Sequence, residues 1–390
     1  LGQEDFSYNS SLETLEILEA YTILPDGKKI MVQPNAIRTV EDSVSQGAAM
    51  FSDVKHKIVV FSNVMVGAKT YVKTKRINHT PLIPGQYMDR STMNPGLEYK
   101  SYLLELEHDP AIKIYVYSDK VKGGRIADGP SGQIRYRYEY KQEIAKLADA
   151  LRVSFADFAP TIQFSTFKNY EEFAVAFNKL VAPRIVATPK VKELADQITK
   201  GITDPKEQAV ALYNWVSREI RYVAIYLANG GLVPEAADDV IKTKYGDCKG
   251  KSGLLIALLA AKGIPASMAA INAGKSYTLA KLGMVSPMNH AITYIPQWDI
   301  YVDPTLELAR FGQLDYSEMD TPTVLLSMGK VGHTPNMSIK NDTTITNVKL
   351  KIEPNGEVKG TSQTKYSGYN EYSERSGYAD YKKSVNEKWV

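Results

Sequence analysis

The 390-residue sequence holds one cysteine, Cys248, in the stretch Tyr245-Gly246-Asp247-Cys248-Lys249-Gly250-Lys251-Ser252-Gly253-Leu254-Leu255. A tight, glycine-containing turn runs there into an apolar stretch that continues to Lys262, and Gly263 with Pro265 supplies a helix stop signal. Asp247 is of the residue type that caps helix N-termini, which places Cys248 in the first helical turn. The unpaired N–H groups and the dipole of that turn stabilise an anion, so a thiolate is favoured at this position. Downstream, 289–295 reads as a strand with His290 at its start, and 299–303 as a second, short strand ending at Asp303. Two such antiparallel neighbours set an imidazole beside a carboxylate, and a helix packed across them brings its first turn over the ring. A thiolate, a general base and a carboxylate orienting that base are the parts of a nucleophilic triad.

Two other chemistries draw on the same residues and fit them less well. Gly250-Lys251-Ser252 matches the end of a phosphate loop, but that motif needs four residues between its glycines. Here only Asp247, Cys248 and Lys249 separate Gly246 from Gly250. Cys248, His290 and Asp303 are all metal-ligand types, yet their spacing contains no local ligand pair, and a helix N-terminus disfavours a cation. Neither a metal nor any other cofactor is expected.

The run 245–266, followed by Asn289-His290-Ala291-Ile292 and then Val302-Asp303-Pro304-Thr305, resembles the transglutaminase-like superfamily, whose core carries Cys, His and Asp in that order. It is most similar to a bacterial branch that places a β-rich domain of the DUF3857 type before the core. Three motifs in the right order carry the resemblance over residues 190–310, and the stretch 162–167 extends it weakly upstream. The resemblance implies a papain-like α+β core and thiol-dependent acyl transfer on amide bonds through a thioester acyl-enzyme, as in a cysteine peptidase, an amidase or a protein-glutamine transglutaminase. The substrate would be a protein, a peptide or another amide-containing molecule. It also implies a second oxyanion donor upstream of the cysteine, for which Tyr222 is the match. Relatives commonly carry Asp where Gly250 stands, a position expected on the helix surface. A catalytically inactive binding or scaffolding module is the alternative, because fold alone does not establish activity.

The elements that must position these residues are legible in outline. Residues 1–150 read as a β-sandwich: 16–22 and 28–32 flank the turn Pro25-Asp26-Gly27, and in 133–140 Ile134, Tyr136, Tyr138 and Tyr140 alternate with Arg135, Arg137 and Glu139. Residues 151–320 read as the α+β core, with helices opened by Asn169, by Thr188-Pro189 and by Asp204-Pro205. Beyond Asp303, residues 306–335 read as loop. Residues 321–390 read as the start of a C-terminal β domain that the chain cuts short, with a hairpin turn at Pro354-Asn355-Gly356 and a helical or irregular tail.

Composition narrows the class of partner. A net charge of +3 without a basic cluster argues against nucleic acid. No run of about 18 apolar residues offers a transmembrane segment. The chain opens at Leu1 without Met or a signal peptide, as a processed product would. A single cysteine cannot mispair, which suits an exported bacterial enzyme in the periplasm or outside the cell.

Overall fold

The computed structural model describes residues 2–41, 50–146, 153–226, 231–336, 340 and 342–387; the expected boundary at residue 150 lies outside them. Its fold is α+β: a strand-rich N-terminal part, a mixed core, and a C-terminal hairpin followed by a helix.

Among the described residues of the N-terminal part, the strands form four three-stranded antiparallel sheets, except Met50–Ser52, which pairs in parallel with Ala224–Tyr226. The strand Ile134–Gln142 shows why the alternating pattern works. Tyr138 is 3% exposed and packs with Met93, Ile162 and Phe164, while Arg135 and Arg137 point outward. Across the pair with Tyr99–His108 these arginines stand opposite Glu107 and Glu105, and their ion pairs measure 3.4 and 2.7 Å. The strand Thr161–Ser165, buried along its whole length, inserts between Tyr115–Asp119 and Met88–Thr92. It ties the chain leading into the core to the N-terminal sheets.

The core is assembled around the helix Cys248–Ala261, in which every residue from 248 to 259 is buried. A helix apolar all round must be covered on all sides. Helices Pro189–Ile198, Pro205–Glu219 and Ala237–Thr243 pack against it on one side, and the strands Ser267–Ile271 and His290–Ile295 on the other. The first two of these helices start as their sequences predict, with the Thr188 and Asp204 side chains accepting from the N–H groups of Val191 and Glu207 and proline in the first turn. Leu255 is fully buried in this cluster. Leu255→Ala should lower the unfolding free energy by about 2–5 kcal/mol, read from urea denaturation; a change below that range would mean the helix is less enclosed than described.

The core sheet has five antiparallel strands in the order Ile300–Val302, His290–Ile295, Ser267–Ile271, Pro322–Leu325, Lys330–His333. The last two correct the expectation of loop over 306–335. Pro322 opens its strand, where a missing N–H is tolerated. Thr323, Val324 and Leu325 after it are buried. Gly329, at φ +60°, turns the chain into the next strand. The core sheet thus runs past residue 321. Beyond it, Thr344–Ile352 and Val358–Tyr366 form the expected hairpin, and Tyr369–Glu387 is helical. Ile345, Val348, Leu350, Ile352 and Val358 of the hairpin are exposed.

Candidate active site

Asp247 caps the central helix, its Oδ1 accepting from the N–H groups of Lys249 (2.9 Å) and Gly250 (3.0 Å). Cys248 is therefore the first residue of the helix, and it is 8% exposed. The other carboxylate oxygen of Asp247 pairs with the Lys249 ammonium. One turn along, Ser252 Oγ donates to the carbonyl of Ala291 (3.0 Å), fixing the first helical turn against the residue that follows His290.

His290 opens its strand, and its Nε2 lies 3.0 Å from Asp303 Oδ2. Asp303, fully buried, directly follows the short strand Ile300–Val302. The register between the two strands, with Thr293 opposite Val302, makes the meeting possible. The Asp303 carboxylate is held in place: Oδ1 accepts from Thr305 N–H (2.7 Å) and Oδ2 from Thr305 Oγ1 (2.7 Å). Its backbone carbonyl accepts from Tyr213 Oη (3.2 Å). Cys248 lines the same cavity as His290, and its side chain is among the groups that raise the His290 pKa. The structure thus brings all three residues picked out by the sequence to one place.

The electrostatics favour charge on this cluster. Burial alone would depress the His290 pKa, but the hydrogen bonds to Asp303, Cys248 and Glu318 outweigh it and raise the pKa well above the usual 6.5. Burial pushes the Asp303 carboxyl up, and the hydrogen bond and charge of His290 reverse this, leaving it below the usual carboxylate range. A charged imidazolium–carboxylate pair is the favoured state near neutrality.

A cavity of ≈ 240 Å³ opens over the cysteine, lined by Tyr222, Leu232, Cys248, Met288 and His290 among others. Its walls are mainly apolar, which keeps water away from the thiol and strengthens each polar contact there. Tyr222 stands half-exposed on this cavity. A short parallel pairing places it opposite Gly246, two residues before the cysteine, with Val223 N–H donating to the Gly246 carbonyl (3.1 Å).

Two features escape the sequence reading. Gly250 is buried rather than on the helix surface, and a Cβ there would sit 2.7 Å from Glu235 Oε2. The glycine leaves room for that carboxyl, which would have to shift to admit an Asp at this position. The second is Glu318, 2% exposed, whose Oε1 lies 3.3 Å from His290 Nε2. It comes from the single 3₁₀ turn Tyr316–Glu318, where a capping box with Asp315 fixes it: Asp315 N–H donates to Glu318 Oε2 (3.0 Å). The spacing Asp315-Ser317-Glu318 is a signal for that turn but not for where it lands. Donor atoms of His290, Asp303 and Glu318 lie within 4.8 Å of one another, close enough for a cation. Hydrogen bonds among the three and to Thr305 already occupy the facing oxygens, so the cluster is satisfied as a proton-sharing network.

Comparison with known proteins agrees with this architecture. Residues 1–145 match a domain of unknown function, DUF3857, and residues 192–297 match the transglutaminase-like superfamily. Among solved structures, a candidate protease from Parabacteroides distasonis shares the fold, with a TM-score of 0.71 and 18% identity over 87% of this chain and 65% of that one. The chain thus spans just under two thirds of that protein's length. A candidate cysteine protease from Cytophaga hutchinsonii aligns over 93% of this chain and 90% of that one at 13% identity, with a TM-score of 0.27 that carries no argument. No curated protein matches the chain. Residues 192–297 therefore belong to the transglutaminase-like superfamily, and a DUF3857 domain precedes them in the same chain.

Proposed function

We propose that this protein is a thiol-dependent acyl-transfer enzyme acting on amide bonds, with Cys248 as nucleophile, His290 as proton carrier and Asp303 as the group that orients His290. The observation that carries the reading is that His290 meets Asp303 at 3.0 Å and shares the wall of one cavity with Cys248. With Nε2 committed to the carboxylates, Nδ1 is the nitrogen left to face the sulfur. The raised pKa of His290 keeps a proton on the ring, ready for the leaving amine.

In the reaction the sulfur attacks the carbonyl carbon of the amide, and the carbonyl oxygen takes the negative charge. As the intermediate collapses, the C–N bond breaks and His290 gives its proton to the leaving amine. A thioester remains on Cys248. Water, or a second amine, then gives a proton to His290 as it attacks the thioester, and the thiolate leaves. The oxyanion has two donors in this scheme: the Cys248 backbone N–H at the helix N-terminus and the Tyr222 hydroxyl. The apolar cavity walls suit a protein or peptide substrate with an uncharged side chain beside the scissile amide. The triad serves water and an amine alike as acceptor, so the reading spans a peptidase, an amidase and a transglutaminase. Action in the periplasm or outside the cell belongs to the same proposal.

The test is activity-based labelling with a peptidyl acyloxymethyl ketone, followed by mass spectrometry. One adduct on Cys248, absent in His290→Ala, supports the reading; a protein that takes no label at any pH contradicts it. Tyr222→Phe should cost about 10²–10³ in kcat with little change in KM, as expected for a donor that acts on the transition state. Unchanged kcat would remove Tyr222 from the oxyanion site.

A further inference from the structure

Resting on the triad reading above, we propose that Glu318 is a positioning residue of this site: a buried carboxylic acid that donates a hydrogen bond to Asp303 and, through it, fixes the His290 ring. The geometry leaves little else for it to do. Its side chain is 3% exposed, its Oε1 is 3.3 Å from His290 Nε2, and its Oε2 is held by Asp315 N–H at 3.0 Å. Two carboxylates this close, both out of water, cannot carry two negative charges, so one of them holds a proton. Asp303 is surrounded by donors, Thr305 N–H, Thr305 Oγ1 and His290, and is the natural anion. Glu318 has one backbone N–H and only the longer, 3.3 Å contact with His290, and is the natural acid. Burial first, and then the charge of Asp303, raise the Glu318 pKa far above the ordinary carboxyl value against the opposing pull of His290.

The arrangement has a consequence that the Cys-His-Asp set alone lacks. When Glu318 ionises, the hydrogen bond to Asp303 is lost and a second negative charge appears beside His290. The other titratable groups facing it are Cys248 and Lys251 from the central helix, Tyr213 from Pro205–Glu219, and Tyr372 from the C-terminal helix. Burial lowers the Lys251 pKa to about 8 and raises those of Tyr213 and Tyr372. The tyrosines therefore stay neutral while Glu318 titrates, and Lys251, whose Nζ donates to the Ser217 carbonyl (3.1 Å), is the cation to control for in that range.

The test is the histidine ring NMR titration of the full chain, wild type against Glu318→Gln, with the His290 signal assigned by its absence in His290→Ala. Glutamine keeps an N–H donor for Asp303 and an acceptor for Asp315 but cannot ionise. The wild-type His290 signal should show a second inflection, above neutrality, that Glu318→Gln lacks and a Lys251→Met variant retains. A second readout is the iodoacetamide alkylation rate at pH 7, within about twofold of wild type in Glu318→Gln and slowed about tenfold or more in Glu318→Ala. An inflection that persists in Glu318→Gln, or that disappears in Lys251→Met, overturns the proposal. So does a Glu318→Ala variant that alkylates at the wild-type rate. If Cys248 fails to alkylate even in the wild type, the triad reading falls, while the His290 titration still decides the role of Glu318.

Discussion

Replacing Cys248 by alanine should lower kcat on any amide substrate by about 10⁶, to the level left by binding and the oxyanion donors alone. The same change should leave the melting temperature close to that of the wild type. Alanine is the best helix former, and Cys248, though packed with Leu232 and Met268, also lines a cavity, so the loss of one sulfur atom removes little packing. The two measurements are paired for this reason: calorimetry shows that the scaffold is intact, and steady-state kinetics shows that the chemistry is gone. A variant with residual kcat near the wild-type value would mean that another group attacks the carbonyl.

Asp303→Asn should cost about 10⁴ in kcat, the scale on which triads respond when the orienting carboxylate loses its charge. The cause here is specific. The Asp303 carboxylate accepts from Thr305 N–H, Thr305 Oγ1 and His290, and an amide has one oxygen with which to serve them. One donor faces the amide NH₂, and the imidazole loses the partner that holds it charged. The pH profile should move as well. With Asp303 neutralised, the His290 pKa falls from its raised value, so the proton leaves the ring at lower pH and the plateau of activity narrows from the alkaline side. A kcat within tenfold of wild type, with an unshifted profile, would assign the orienting role elsewhere.

How far the site could be read from the sequence depended on where each residue stood. Cys248, His290 and Asp303 each mark an element boundary: after a capping Asp, at a strand start, and before a proline that stops a strand. Local signals of this kind survive without tertiary information. Tyr222 needed the parallel pairing with Gly246 to stand beside the cysteine, and only the family resemblance pointed to it. Glu318 was out of reach. Its contact with His290 spans 28 residues and depends on the strand Pro322–Leu325 joining the far side of Ser267–Ile271, in a segment whose prolines and glycines read as loop. Gly250 was misplaced for a related reason. An exposed helix face was assumed, whereas three helices and a sheet enclose this helix from all sides. In the N-terminal part the alternation of tyrosine with arginine gave the strands. Nothing in it announced that Thr161–Ser165, arriving after the boundary segment, would complete one of the sheets.

The central claim is that Cys248 and His290 work as one unit. The measurement that tests it most directly is the rate of Cys248 alkylation by iodoacetamide across pH 5–9 in wild type and His290→Ala. The account predicts alkylation in the wild type that persists below neutrality, where free thiols are unreactive, and that His290→Ala slows it sharply there while leaving the rate at pH 9 nearly unchanged. Superimposable profiles for the two proteins would contradict it, because the imidazole would then have no part in forming the thiolate.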